Sequence, residues 1–145
     1  MAKEIYTAEA HVTGGRVAGH GRSSDGALEV DLRTPPELGG EGGGTNPEQL
    51  FAVGYAACFE SALATVARRE KLEVGDVGID SKVILVAGEE RSFTIAVELH
   101  VTLPSVGDDD AVELVRATHR VCPYSNATRG NIEVLLSANG VAVDA

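Results

Sequence analysis

Two cysteines are the side chains here best suited to covalent chemistry. Cys58 sits inside the apolar run "GYAACFES", and Cys122 sits in "HRVCPYSNATRGN". A free cysteine most often packs as a small apolar residue. Two of them, in a compartment that keeps thiols reduced, are either such packing residues or a pair that cycles between dithiol and disulfide. Other chemistries fit less well. Cys58 with His100 or His119 would make a nucleophile–base pair, but His119 falls three residues before Cys122 and reads as a helix-end residue. The four histidines, His11, His20, His100 and His119, form no close-spaced pair, and there is no C-x-x-C. No metal site is therefore expected, and no cofactor. The glycine run "GGEGGGTN" lacks the Lys-Ser/Thr of a phosphate loop. "NAT" at Asn126 is a glycosylation sequon by pattern alone.

A reactive Cys58 has a requirement. Only the thiolate attacks, and burial by itself raises a thiol pKa. Lowering it from ~8.5 to ~6 takes roughly 3 kcal/mol of preferential thiolate stabilisation. A nearby arginine suits, because it stays charged when buried, and a carboxylate would then hold the arginine. Spacing does not choose among the arginines. "TGGR" draws attention to Arg16, which follows two glycines at a turn; it is equally a solvated hairpin residue.

The elements that must position these groups are legible in outline. Residues 4–13 and 16–22 read as a hairpin around "GG". "ALEVDLR", 27–33, alternates with period two as a third strand. "TPPELGGEGGGTNP" is a loop, long enough to suspect function or mobility. "TNPEQL" starts a helix: Thr45 or Asn46 caps, Pro47 suits the first position and Glu48 complements the dipole. The helix is expected to run to about Leu72. It is apolar nearly all round from Leu50 to Val66, which predicts burial on every side and hence a second copy to enclose it. Residues 77–87 and 92–103 form another hairpin. "DDDAVELVRATHRV" is an amphipathic helix stopped by Pro123. Cys122 then stands at the start of a short helix, and "NIEVLLSANGVAV" is a last strand with a tail. The class is α+β, in a single domain, 1–145.

Composition bounds the partners. The chain has 145 residues, 43% hydrophobic and 23% charged, with net charge −10. That charge opposes nucleic acid and anionic lipid. No apolar stretch approaches ~18 uninterrupted residues, so no membrane span is expected. "MAKEIYTAEAH" has no apolar h-region, and the expectation is a cytoplasmic protein.

Four segments, in order, resemble the organic hydroperoxide resistance (Ohr) branch of the Ohr/OsmC superfamily. They are "TGGR" at 13–16, "SSDG" at 23–26, "ELGG…GTNPEQLFAVGYAACF" from 37 to 59, and "HRVCPYSNATRGNIEV" from 119 to 134. Residues 73–113 match only in pattern. The resemblance implies a thiol peroxidase that reduces organic hydroperoxides, including those of fatty acids, to alcohols. It implies that Cys58 is the peroxidatic cysteine, Cys122 the resolving one, Arg16 the guanidinium that activates Cys58 and Glu48 the carboxylate that positions Arg16. It further implies recycling by a dithiol such as that of a lipoylated protein. The implied fold is an intertwined homodimer, with antiparallel sheets enclosing long buried central helices.

Helix geometry adds a constraint. Glu48 and Cys58 are ten residues apart on one helix, so ~15 Å apart along its axis. If Arg16 contacts both, Glu48 comes from the other subunit. The expected sites are then composite, with Cys58 and Cys122 from one chain and Arg16 and Glu48 from its partner. Two other readings compete: a module that binds an apolar ligand, and a redox sensor whose disulfide alters a partner's affinity. The glycine loop, Gly39 to Gly44, is either a plain linker or a segment that moves with the redox state of Cys58.

Overall fold

Period-two alternation in the first third of the chain produces three antiparallel strands, β1 (Ala10–Thr13), β2 (Ala18–Ser23) and β3 (Glu29–Arg33). The computed structural model describes residues 2–145. Two units divide the chain, Met1–Leu50 and Phe51–Ala145.

In the first unit β1 is shorter than the expected 4–13. Its pairing begins with Ala10 opposite Ser23, where β2 ends, with one further backbone bond from Ser24 N–H to Glu9 O (2.9 Å). The β1–β2 turn depends on Gly14. Its φ is +75°, and a Cβ there would lie 2.3 Å from the Ala18 carbonyl oxygen. The glycine-rich loop is folded rather than a plain linker. Gly39 N–H donates to Pro36 O (2.9 Å), Gly40 N–H to Pro35 O (3.1 Å) and Gly42 N–H to Thr34 O (3.0 Å). Thr45 then ties the loop exit to β3 through Asp31 and Arg33. Among the described residues of this unit, Leu32 is the one buried apolar side chain.

Helix α1 spans Pro47–Arg69. Asn46 caps it, accepting from the Gln49 N–H at 2.8 Å, with Pro47 in the first position as expected. Its C-terminus comes earlier than Leu72. Lys71 takes φ +58°, Leu72 N–H donates back to Ala67 O and Lys71 N–H to Arg68 O. This closure turns Leu72 back onto the core instead of continuing the helix.

The second unit is a four-stranded sheet, β4 (Gly78–Ala87), β5 (Phe93–Thr102), β6 (Val134–Ala138) and β7 (Val141–Val143), in that order. The expectation of antiparallel sheets needs one correction. β6 runs parallel to β5, because the chain crosses between them through α2 (Asp108–Val121) and α3 (Pro123–Thr128). The expected tail is a strand too, since Asn139 takes φ +49° and Gly140 +81° and the chain folds back as β7. α2 buries Ala111, Leu114, Val115, Thr118 and His119 along one face. One apolar cluster joins α1, the sheet and α2, and includes Cys122.

Helix α1 is long and apolar enough, by length and composition, to cross a bilayer, since an 18-residue window of it holds at most two charged residues. In the single chain its faces differ. Tyr55, Phe59, Leu63, Val66 and Ala67 are buried, whereas Val53 is 72% exposed and Ala57 and Ser61 are also open. The sheet and α2 supply cover for one face only.

Candidate active site

Arg16 and Glu48 meet within the first unit. The guanidinium donates from Nη1 to Glu48 Oε2 (3.1 Å) and from Nη2 to Oε1 (2.9 Å), a two-pronged ion pair. The Gly14–Gly15 turn releases the Arg16 side chain, and the N-terminal turn of α1 presents Glu48. The Arg16 hydrogen bond holds the Glu48 carboxyl below its usual range, against a smaller opposing effect of burial. The Arg16 side chain stays 38% exposed, so the guanidinium keeps N–H groups free for a further acceptor.

Cys58 and Cys122 meet within the second unit, and both are free thiols. Cys58 is half-buried on α1; Cys122 is fully buried where α2 gives way to α3. Pro123 occupies the first position of α3, which makes the break. Burial pushes the Cys58 thiol up, the Tyr124 peptide N–H facing it pulls it down, and the neighbouring Cys122 thiol raises it again. No cation is among these influences.

Aromatic rings and a polar network flank the thiols. Phe51, Tyr55 and Tyr124 form a cluster with centroids 5.6–6.0 Å apart. Gly54 makes room for it, since a Cβ there would lie 3.0 Å from the Tyr124 hydroxyl. Below the rings, Tyr55 Oη lies 2.8 Å from Ser125 Oγ and 3.1 Å from Thr128 Oγ1, and His119 Nδ1 lies 2.8 Å from Ser125 Oγ. His119 lies in the last turn of α2, as expected, and is buried there as a member of this network. Burial and the Arg129 charge lower its pKa. His100 is engaged elsewhere, with Ser137 and Glu98.

The sequence profile of the OsmC-like proteins matches residues 40–137. The chain belongs to the OsmC-like family. Its relatives place it in the Ohr branch. It is 54% identical over 138 residues to an organic hydroperoxide resistance protein of Xanthomonas axonopodis pv. citri, covering 93% of this chain and 95% of that one. It is 46% identical over 133 residues to the organic hydroperoxide resistance protein OhrB of Bacillus subtilis, covering 91% and 96%. Its fold matches the crystal structure of an organic hydroperoxide resistance protein OsmC from Legionella pneumophila. There the TM-score is 0.90 and the identity 51%, covering 94% of this chain and 98% of that one.

In this OsmC-like chain the four residues singled out from the sequence fall into two contacting pairs, one in each unit. Tyr55, Ser125 and His119 were not singled out as site residues. A signal existed: Tyr55 precedes Cys58 by three, and His119 and Ser125 flank Cys122 by three on either side. One helical turn is about that spacing.

Proposed function

We propose that this protein is a cysteine-based peroxidase that protects against organic hydroperoxides. The observation that carries the reading is the pairing of two free thiols, one half-buried and one fully buried, at a helix break. The Cys58 thiolate attacks the distal oxygen of ROOH. The O–O bond breaks, the alkoxide leaves and takes a proton as ROH, and Cys58 becomes a sulfenic acid. The Cys122 thiol then condenses with it, releasing water and forming a Cys58–Cys122 disulfide, which stops further oxidation. A dithiol reductant, such as that of a lipoylated protein, exchanges through a mixed disulfide and restores both thiols.

Arg16, held by Glu48, is the proposed activator of Cys58 and the stabiliser of charge developing on the peroxide. The working unit is a homodimer with composite sites, Cys58 and Cys122 from one chain and Arg16 and Glu48 from its partner. The Val53 face of α1, uncovered in the single chain, supports it. The protein operates in the cytoplasm, where thiols are kept reduced, without nucleic acid or membrane as partner.

The test is a peroxidase assay with tert-butyl, fatty-acid and hydrogen peroxides, using dihydrolipoamide and thioredoxin as competing reductants. Burying about 100 Å² of substrate chain is worth about 2.5 kcal/mol, so the fatty-acid hydroperoxide should lead hydrogen peroxide by about 70-fold in kcat/KM. Thiols inert to every hydroperoxide would instead leave an apolar-ligand-binding module.

A further inference from the structure

Four buried or nearly buried polar side chains lie beside the thiols, and the peroxidase reading above does not use them. Tyr55 and Ser125 are 0% exposed, His119 4% and Thr128 7%. Their contacts form one line: His119 Nδ1 to Ser125 Oγ (2.8 Å), Ser125 Oγ to Tyr55 Oη (2.8 Å), Tyr55 Oη to Thr128 Oγ1 (3.1 Å) and Thr128 Oγ1 to the Tyr124 carbonyl oxygen (2.9 Å).

Hydroxyl counting gives this line a direction. Each hydroxyl has one hydrogen to donate. Thr128 faces two carbonyls, Tyr124 O at 2.9 Å and Ser125 O at 3.3 Å, which only accept, so its hydrogen goes to them, chiefly to the nearer Tyr124 O. Tyr55 then donates to Thr128, Ser125 donates to Tyr55, and His119 donates from Nδ1–H to Ser125. This assignment uses all four contacts with every hydroxyl donating once and accepting once. It makes His119 the Nδ1–H tautomer.

The placement is as specific as the bonding. Tyr55 lies one turn before Cys58 on α1. His119 and Ser125 lie three residues to either side of Cys122 and bond to each other across the α2–α3 break. The His119–Ser125 bond therefore brackets Cys122, and the Ser125–Tyr55 bond pins that bracket to the helix that carries Cys58. The last link holds Tyr124, the residue whose peptide N–H faces the Cys58 thiol. Buried hydrogen-bonded networks of this kind rigidify the local geometry.

We propose that the chain His119–Ser125–Tyr55–Thr128 is a positioning clamp that holds Cys122 against Cys58 for disulfide formation. It rests on the peroxidase reading. In the step it serves, Cys58–SOH and the Cys122 thiol form an S–S bond and the sulfenic hydroxyl leaves as water. The competing step is attack of the same sulfenic acid on a second ROOH, giving Cys58–SO₂H and ROH. The sulfurs must close to ~2.05 Å in the first step, whereas the second needs no Cys122 at all. Loosening the clamp should therefore shift the partition from disulfide to sulfinic acid.

The experiment oxidises the full-length protein with rising equivalents of tert-butyl hydroperoxide. Rapid-quench mass spectrometry reads disulfide and sulfinic acid together. Tyr55→Phe keeps the ring and cuts the chain at its centre. One lost hydrogen bond corresponds to about fivefold, so the ratio of disulfide to sulfinic acid should fall by about that factor, and similarly in Ser125→Ala. At position 119, Asn keeps a donor near Nδ1 but leaves a gap, whereas Leu fills the volume without a donor. The clamp predicts that His119→Asn partitions more like wild type than His119→Leu does; a packing role predicts the reverse. Nitrogen chemical shifts of His119 should report the Nδ1–H tautomer. If wild type forms the disulfide and Tyr55→Phe and Ser125→Ala partition as it does, the clamp is overturned and the peroxidase reading stands. If wild type forms no disulfide with any hydroperoxide, both are overturned.

Discussion

The two units are built in opposite ways. Met1–Leu50 carries a charged pair, Arg16 at the β1–β2 turn and Glu48 on the first turn of α1, and among its described residues a single buried apolar side chain, Leu32. Phe51–Ala145 carries a neutral pair, Cys58 and Cys122, against a contiguous apolar core. The charged pair tolerates a sparse setting because its ions stay partly hydrated. The thiols border the apolar core, and burial of the half-buried Cys58 suppresses its thiolate. A core suits an apolar substrate but not ionisation, and a polar surface suits a guanidinium but not a fatty chain.

The sharpest way to break this division is to remove the sulfur. Cys58→Ser should reduce peroxide turnover to background. Cys122→Ser should consume one equivalent and then stall or over-oxidise, read by peroxide loss and mass spectrometry. Repeated turnover by Cys58→Ser would show that the thiol pair is not the reactive half. Next is the cation. Arg16→Ala should lower kcat/KM by about 10²–10³, the range for removing one preorganised charge donor. It should also move the pH midpoint of Cys58 alkylation upward; an unmoved midpoint would mean that Arg16 never serves the thiol. Arg16→Lys should recover only part, since the two-pronged bond to Glu48 is lost.

Mixing the halves sharpens the comparison further. Cys58→Ser and Arg16→Ala subunits, each inactive, should give heterodimers with one working site, about half of wild-type activity per dimer under the composite-site proposal. Heterodimers that form cleanly and stay inactive would place both halves in one chain. The smallest effect is on stability. The Arg16 hydrogen bond keeps the Glu48 pKa below 4.5. Its contribution is therefore complete above pH 4.5 and is lost as pH falls from there through the folded-state pKa. With Arg16 38% exposed, solvent screening limits it to about 1 kcal/mol or less. Urea unfolding of wild type and Glu48→Gln should differ by that amount near neutrality and converge below pH 4.5.

Some parts of this molecule were legible residue by residue. The Asn46 cap, Pro47, the acidic first turn of α2 and the break at Pro123 are local, because each is set by hydrogen bonds and dihedrals within a turn of itself. The α+β class was legible for a related reason, since periodicity acts at short range; the pairing of the two cysteines was implied only by the family resemblance. The early end of α1 was not. "RREKLEVG" carries no glycine where Lys71 turns left-handed, and only the pull of Leu72 into the core selects that closure.

What the sequence determined by itself is the set of reactive groups, their chemical types and the helices that carry them. Tertiary structure alone decided which of these meet: Arg16 with Glu48 across 32 positions, and Tyr55 with Ser125 across 70. It also decided that β6 lies parallel to β5 and which face of α1 the single chain covers. The physical reason is that such contacts join residues far apart in the chain. They are fixed by the joint packing of several elements, and no local pattern encodes that packing.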